Sequence, residues 1–238
     1  MKRNQRGSIK KILTCILTMT FVLSITINFA ALAATKKSKI TDKKIEQMTG
    51  KKACFVGDSL MQGVYYFTPF DNAQFVTKIG LNVINAQNEK KKIWSNGNST
   101  MSILEGIKAK KPKYIYIMLG ANELAWLNLK VADKYYNRFV KKIKKQCPKA
   151  QITILSVQPA TTAYCASNKG FTNAKVRSYN ASLKKIAKKQ KVKYISLYKY
   201  FADQNGNLKT ELAGSDGLHW KVNGVQVFSQ ALKTELKK

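Results

Sequence analysis

The chain has 238 residues, 45% of them apolar, and carries 43 lysines and arginines against 12 acids, a net charge of +31. That length suits one domain able to bury a core without covalent staples. A single histidine and four cysteines without a C-x-x-C spacing argue against a histidine-rich metal site and a disulfide framework.

At the N-terminus, Lys2, Arg3, Arg6, Lys10 and Lys11 precede an uncharged, largely apolar run from Ile12 to Ala34. The run contains Ala31-Leu32-Ala33 near its end, with small residues where a signal peptidase reads. Basic, apolar and A-x-A parts in this order predict a secretory signal over residues 1–33, cleaved after Ala33. The alternative is a retained anchor, since about 20 apolar residues can span a bilayer. Cys15 belongs to the apolar run. Either way the rest of the chain is expected outside the cytoplasm, secreted or held at the cell envelope.

Removing residues 1–33 takes five of the 43 basic residues and leaves 38 against 12 acids, a net charge of +26. Such a surface attracts polyanions. Only Arg138 and Arg177 remain as arginines. Because bidentate recognition of phosphates and guanines favours arginine, this argues against nucleic acid. An anionic cell-envelope polymer is the better-suited partner. The bland reading is a solvated surface, for Lys141, Lys142, Lys144 and Lys145 fall on one helix face and Lys184, Lys185, Lys188 and Lys189 on another. Membrane contact is expected only through the signal segment, if it is retained.

Residues 34–51 read as a basic linker with a short helical stretch near 41–48. The pattern then changes, and residues 52–238 form the folded domain. Strands are predicted at Ala53–Gly57, Gln74–Ile79, Tyr114–Leu119, Gln151–Val157 and Lys193–Leu197. Asn96-Gly97, between Ile93 and Met101, signals a small hairpin. YIYIML at 114–119 is apolar throughout, as a central strand covered on both faces should be. Three apolar stripes predict helices: Tyr136, Phe139, Val140 and Ile143; Val176, Tyr179, Leu183, Ile186 and Ala187; Val225, Phe228, Leu232 and Leu236. Strands alternating with helices predict an α/β fold, a three-layer α/β/α sandwich around a five-stranded parallel sheet of flavodoxin-like type.

In such a sheet, chemistry sits at the carboxyl ends of the strands. Gly57-Asp58-Ser59-Leu60, Gly80, Gly120-Ala121-Asn122-Glu123 and Asp216-Gly217-Leu218-His219 all fall at strand ends or in the last loop. Asp216 stands three residues before His219, in a turn able to bring the side chains together. A carboxylate on one ring nitrogen fixes the tautomer and leaves the other free to take a proton. Ser59 opens a helix, where its N–H favours developing negative charge; the plainer reading is a capping serine. The sequence lacks G-x-S-x-G, so the ordinary α/β-hydrolase fold is not implied.

These blocks resemble those of the SGNH/GDSL hydrolases: FVGDSL (55–60), KIG (78–80), MLGANE (118–123) and DGLH (216–219). The resemblance covers nearly all of residues 52–236. It implies the SGNH hydrolase fold, with Ser59 as nucleophile and His219 as base oriented by Asp216. It also implies an oxyanion hole of the Ser59 and Gly80 N–H groups and the Asn122 amide, without cofactor or metal. Glu123 departs from the family's usual aspartate and reads as a support for its loop. Gly97 is the rival of Gly80, which is preferred because it directly ends a strand. Met61, Trp126, Tyr164 and Phe171 are candidate pocket walls or simply packed side chains. The implied activity is that of a serine esterase; the signal pattern makes it an exported one. The lack of a long apolar lid or second domain favours short acyl esters such as acetyl, borne by small molecules or by cell-wall or extracellular carbohydrate. The alternatives are acyl transfer to a sugar hydroxyl and an idle cationic wall-binding module.

Overall fold

A computed structural model describes residues 40–68, 70 and 72–238. The expected signal segment lies outside the described residues. In chain order the elements are α1 (Asp42–Thr49), β1 (Ala53–Gly57), α2 (Ser59–Phe67), β2 (Gln74–Thr77), α3 (Val83–Ala86), β3 (Trp94–Ser95), β4 (Thr100–Met101) and α4 (Ile103–Ala109). They continue with β5 (Tyr114–Met118), α5 (Leu129–Gln146), β6 (Gln151–Leu155), α6 (Thr162–Ser167), α7 (Asn173–Gln190), β7 (Lys193–Ile195), α8 (Tyr198–Phe201) and α9 (Val222–Leu236).

Five strands form one parallel sheet in the order β2-β1-β5-β6-β7. β1, β5 and β6 are its inner strands, and every residue of β1 and β5 is buried, as their unbroken apolar sequences require. Right-handed crossovers place α2 and α9, which pack on each other, against one face; α4, α5 and α7 cover the other. The expected three-layer sandwich is the observed one. The predicted stripes are its core: Tyr136, Phe139, Val140 and Ile143 of α5, Val176, Tyr179 and Leu183 of α7, and Val225, Phe228 and Leu232 of α9 are all buried. Each such side chain contributes about 1.5–3 kcal/mol by leaving water. The hairpin appears as β3 and β4, paired antiparallel.

The crossover from β1 leads outward to β2, whereas the next returns across β1 to β5. This reversal opens a crevice beyond the carboxyl ends of β1 and β5, where ligands bind in open α/β sheets.

Three strands stop two residues short of expectation. β2 ends at Thr77 because a turn follows, closed by Leu81 N–H on the Lys78 carbonyl at 3.0 Å. β6 ends at Leu155 because the Val157 N–H bonds the Asn180 side chain at 2.8 Å instead of a neighbouring strand. β7 ends at Ile195, ahead of α8.

The stretch read as a linker carries α1, whose Ile45 and Met48 are buried, and the Met48 carbonyl accepts the Tyr116 hydroxyl at 3.0 Å. The packed unit thus begins at Asp42, ahead of the expected Lys52. Cys54, Cys147 and Cys165 are free thiols. Burial pushes Cys54 up to about 12, so it is an inert core residue. Cys147 precedes β6 and Cys165 follows it, at opposite ends of that strand.

Candidate active site

β1 delivers Gly57-Asp58 to the crevice, and the chain turns at once into α2. A Cβ on Gly57 would lie 2.5 Å from Met61 Cβ and 2.7 Å from the Met118 carbonyl oxygen, so only glycine fits this close approach. Asp58 caps α2: its Oδ1 accepts the Leu60 N–H at 3.0 Å. Burial raises the Asp58 carboxyl to about 6, although the Leu60 N–H and His219 pull it down. It pins the turn and leaves the neighbouring serine exposed to chemistry.

Ser59 is the first residue of α2, so its N–H has no partner within the helix and points with the helix dipole. Its Oγ lies 2.8 Å from His219 Nε2. The opposite ring nitrogen, Nδ1, bonds Asp216 Oδ2. Asp216 Oδ1 in turn accepts the N–H groups of Leu218 at 3.0 Å and His219 at 2.9 Å. With Nδ1 donating to the carboxylate, Nε2 is left as the acceptor for the serine proton. Partial burial pushes the Asp216 carboxyl up, but the His219 ring and these two N–H groups outweigh it and hold it below its ordinary value. Serine, histidine and aspartate therefore stand in one hydrogen-bonded line. Such a line can move a proton off a hydroxyl attacking an acyl carbon.

The histidine loop is fixed by contacts the sequence does not announce. Gly214 N–H bonds the His219 carbonyl at 2.7 Å, and Thr161 N–H bonds the Gly217 carbonyl at 2.9 Å. Gly217 has φ +75°, and a Cβ there would lie 2.2 Å from Thr161 Oγ1. Trp220 stacks on Phe201 and Phe228, with centroids at 4.5 and 5.8 Å, and so anchors the residue after His219.

Of the oxyanion candidates, Gly80 lies in the turn that continues β2 beside the serine turn. Gly57 pairs with Thr77, and the Lys78 N–H bonds the Gly57 carbonyl at 3.2 Å. Gly97 sits instead in the turn joining β3 to β4. Asn122 Nδ2 reaches Asp58 Oδ2 at 3.2 Å and the Leu81 carbonyl at 3.1 Å. This amide ties the serine turn, the Gly80 turn and its own loop together, with an acceptor for each N–H.

Glu123 is wholly buried, and its Oε1 accepts the Val83 N–H at 3.1 Å. Oε2 has no hydrogen-bond partner among the described residues. Burial, reinforced by Asp58, raises its carboxyl to about 8, so it is largely protonated at neutral pH. Among the wall candidates, Met61 and Phe171 are core residues at 0% and 1% exposure. Trp126 is exposed and donates its indole N–H to the Asn122 carbonyl at 2.7 Å. Tyr164 packs edge-on against Phe171 and lines a recess beside Asp216.

Among curated protein sequences none matches the chain. Solved structures do. A GDSL-like lipase from Bacteroides thetaiotaomicron shares 17% identity and a TM-score of 0.58, over 87% of this chain and 95% of that one. An acetyl-xylooligosaccharide esterase from Geobacillus Stearmophilus shares 15% and 0.54, over 79% and 96%. The periplasmic domain of a lipopolysaccharide acetyltransferase from Salmonella ser. Paratyphi A shares 15% and 0.54, over 84% and 90%. These likenesses show the fold. Residues 55–227 match the GDSL-like Lipase/Acylhydrolase family, to which the chain therefore belongs.

Proposed function

We propose that the protein is an exported serine esterase that removes short acyl groups, such as acetyl, from carbohydrate outside the cytoplasm. The observation that carries this reading is the line from Ser59 Oγ through His219 to Asp216. Ser59 attacks the acyl carbonyl while His219 takes its proton. His219 then protonates the leaving alcohol, and water releases the acyl group from Ser59. The negative oxygen formed on the way is met by the N–H groups of Ser59 and Gly80. Asn122 supplies the third donor by turning one N–H from its resting acceptor to the substrate, as catalytic hydrogen bonds tighten only on binding. Asn122→Ala is expected to lower kcat about 10²–10³-fold with little change in KM, the loss of one oxyanion donor. A kcat within threefold of wild type would remove Asn122 from the hole.

A short acyl group suits the openness of the site, for the His219 and Asp216 side chains are 45% and 48% exposed. The structural likeness to an acetyl-xylooligosaccharide esterase supports a sugar-borne ester. Export rests on the signal pattern of residues 1–33. Acyl transfer to a sugar hydroxyl is the second reading, supported by the likeness to an acetyltransferase domain. A series of p-nitrophenyl esters with and without added sugar tests both. Turnover should be fastest on acetate and fall steadily towards octanoate, with free acid as the product. A preference for octanoate would overturn the short-chain reading, and acylated sugar as the main product would establish transfer.

A further inference from the structure

We infer that the groove along the open edge of β2 is a track for a linear acidic glycan, which it guides to Ser59; this rests on the esterase reading above. β2 is an edge strand, paired among the described residues only with β1. Beside it runs a groove of about 420 Å³ whose walls include Gln62 and Tyr65 of α2, Phe75 and Thr77 of β2, and Trp94 and Asn96 at the hairpin. Its upper end adjoins the catalytic edge, because Thr77 pairs with Gly57 and Gln62 follows Ser59 by about one helical turn. Its lower end shares Gln74 and Lys110 with a second recess of about 480 Å³, which also presents Lys51, Lys52, Lys111 and Asn72. The two are one path. Four strand residues at about 3.3 Å each give it ~13 Å between the catalytic edge and the lysines, too long for a single sugar ring to fill.

The lining changes character along this path. Near Ser59 it offers aromatic side chains with uncharged amides and hydroxyls, the mixture that holds a polyol by its apolar faces and its hydroxyls. Tyr65 is 54% exposed, its ring held 5.2 Å from that of Phe75. Gln62 adds a side-chain amide to the same wall.

At the far end stand four lysines with no acid in the lining, and none of the four takes part in an ion pair among the described residues. Helix-face solvation does not account for them. Lys51 and Lys52 lie just ahead of β1, and Lys110 and Lys111 between α4 and β5; adjacent parallel strands bring the two pairs to the same end of the sheet. Lys110 also lies 5.5 Å over the Trp94 ring and joins the two parts. Aromatic and amide groups leading to unpaired ammonium groups fit a glycan bearing carboxylates along its chain. Neither recess contains an arginine to fork onto phosphates or bases, which disfavours nucleic acid.

The test measures binding of deacetylated polygalacturonate to the Ser59→Ala protein, and acetate release from acetylated polygalacturonate and neutral acetylated xylan by the Ser59 protein. Lys51, Lys52, Lys110 and Lys111→Gln together should weaken polygalacturonate binding about tenfold at low salt, an effect that fades at 1 M salt. The preference for the acidic over the neutral polymer should fall with it, through KM. Tyr65→Ala should raise KM on both polymers. A matched change of Lys184, Lys185, Lys188 and Lys189 to Gln on α7 should leave the preference as it was. Equal loss in the two lysine sets, or none in the first, would overturn the track, as would tighter binding of single-stranded DNA of equal charge. Failure of the Ser59 protein to hydrolyse p-nitrophenyl acetate would instead overturn the esterase reading on which the track rests.

Discussion

Ser59→Ala and His219→Ala should each lower esterase turnover about 10⁴-fold or more, and the double variant should be scarcely worse than either. The reason is the single bond between Ser59 Oγ and His219 Nε2. Without His219 the hydroxyl keeps its proton, and without Ser59 the ring has no nucleophile to serve. Residues acting through one proton transfer lose their effect together, so their penalties do not multiply. Both side chains are at least partly exposed, and neither substitution should unfold the protein. Turnover, measured on p-nitrophenyl acetate with thermal unfolding as a control, decides it. Multiplying losses would mean that the two residues act independently.

The second large effect concerns stability. The Glu123 carboxyl is raised from its ordinary 4.5 to about 8, chiefly by burial. A raised acid contributes stability that is fully present below the unfolded value and lost as pH rises through the folded one. Between about 4.5 and 8 the native protein holds a proton that the unfolded chain has released. This group therefore costs about 1.4 kcal/mol of stability per pH unit across that window. Glu123→Gln keeps an oxygen for the Val83 N–H and cannot ionise. Near pH 5 the two proteins should melt at similar temperatures, whereas at pH 8–9 the glutamine variant should melt higher by several degrees or more. Asp58 is raised in the same direction, but it is present in both proteins and largely drops out of the difference. Melting curves that stay parallel from pH 5 to 9 would show that Glu123 is not held protonated by its surroundings.

Most of the frame was legible because it is written in local patterns. β1 and β5 are apolar without interruption, and the stripes of α5, α7 and α9 repeat at helical spacing, so burial follows from sequence period alone. The serine turn and the Asp216–His219 turn were equally local. The helix of α1 was legible but its packing was not, since two apolar residues among lysines and acids become a core contact only when β5 lies beneath them. Met61 was ambiguous for a similar reason. It lies two residues after Ser59, and about 200° around a helix turns it away from the nucleophile and into the core. The hold of Thr161 on Gly217, and of the Asn122 amide on Asp58 and Leu81, joins residues far apart in sequence. Such ties carry no periodic signal and appear only in three dimensions.

Labelling with a serine-directed phosphonate shows whether Ser59 is the nucleophile. The wild-type protein should take up one phosphonate, located by peptide mass spectrometry on Ser59, with esterase activity lost in proportion. His219→Ala should label far more slowly, because the hydroxyl then has no base. An adduct on any other residue, or loss of activity without an adduct on Ser59, would mean that Ser59 is not the nucleophile.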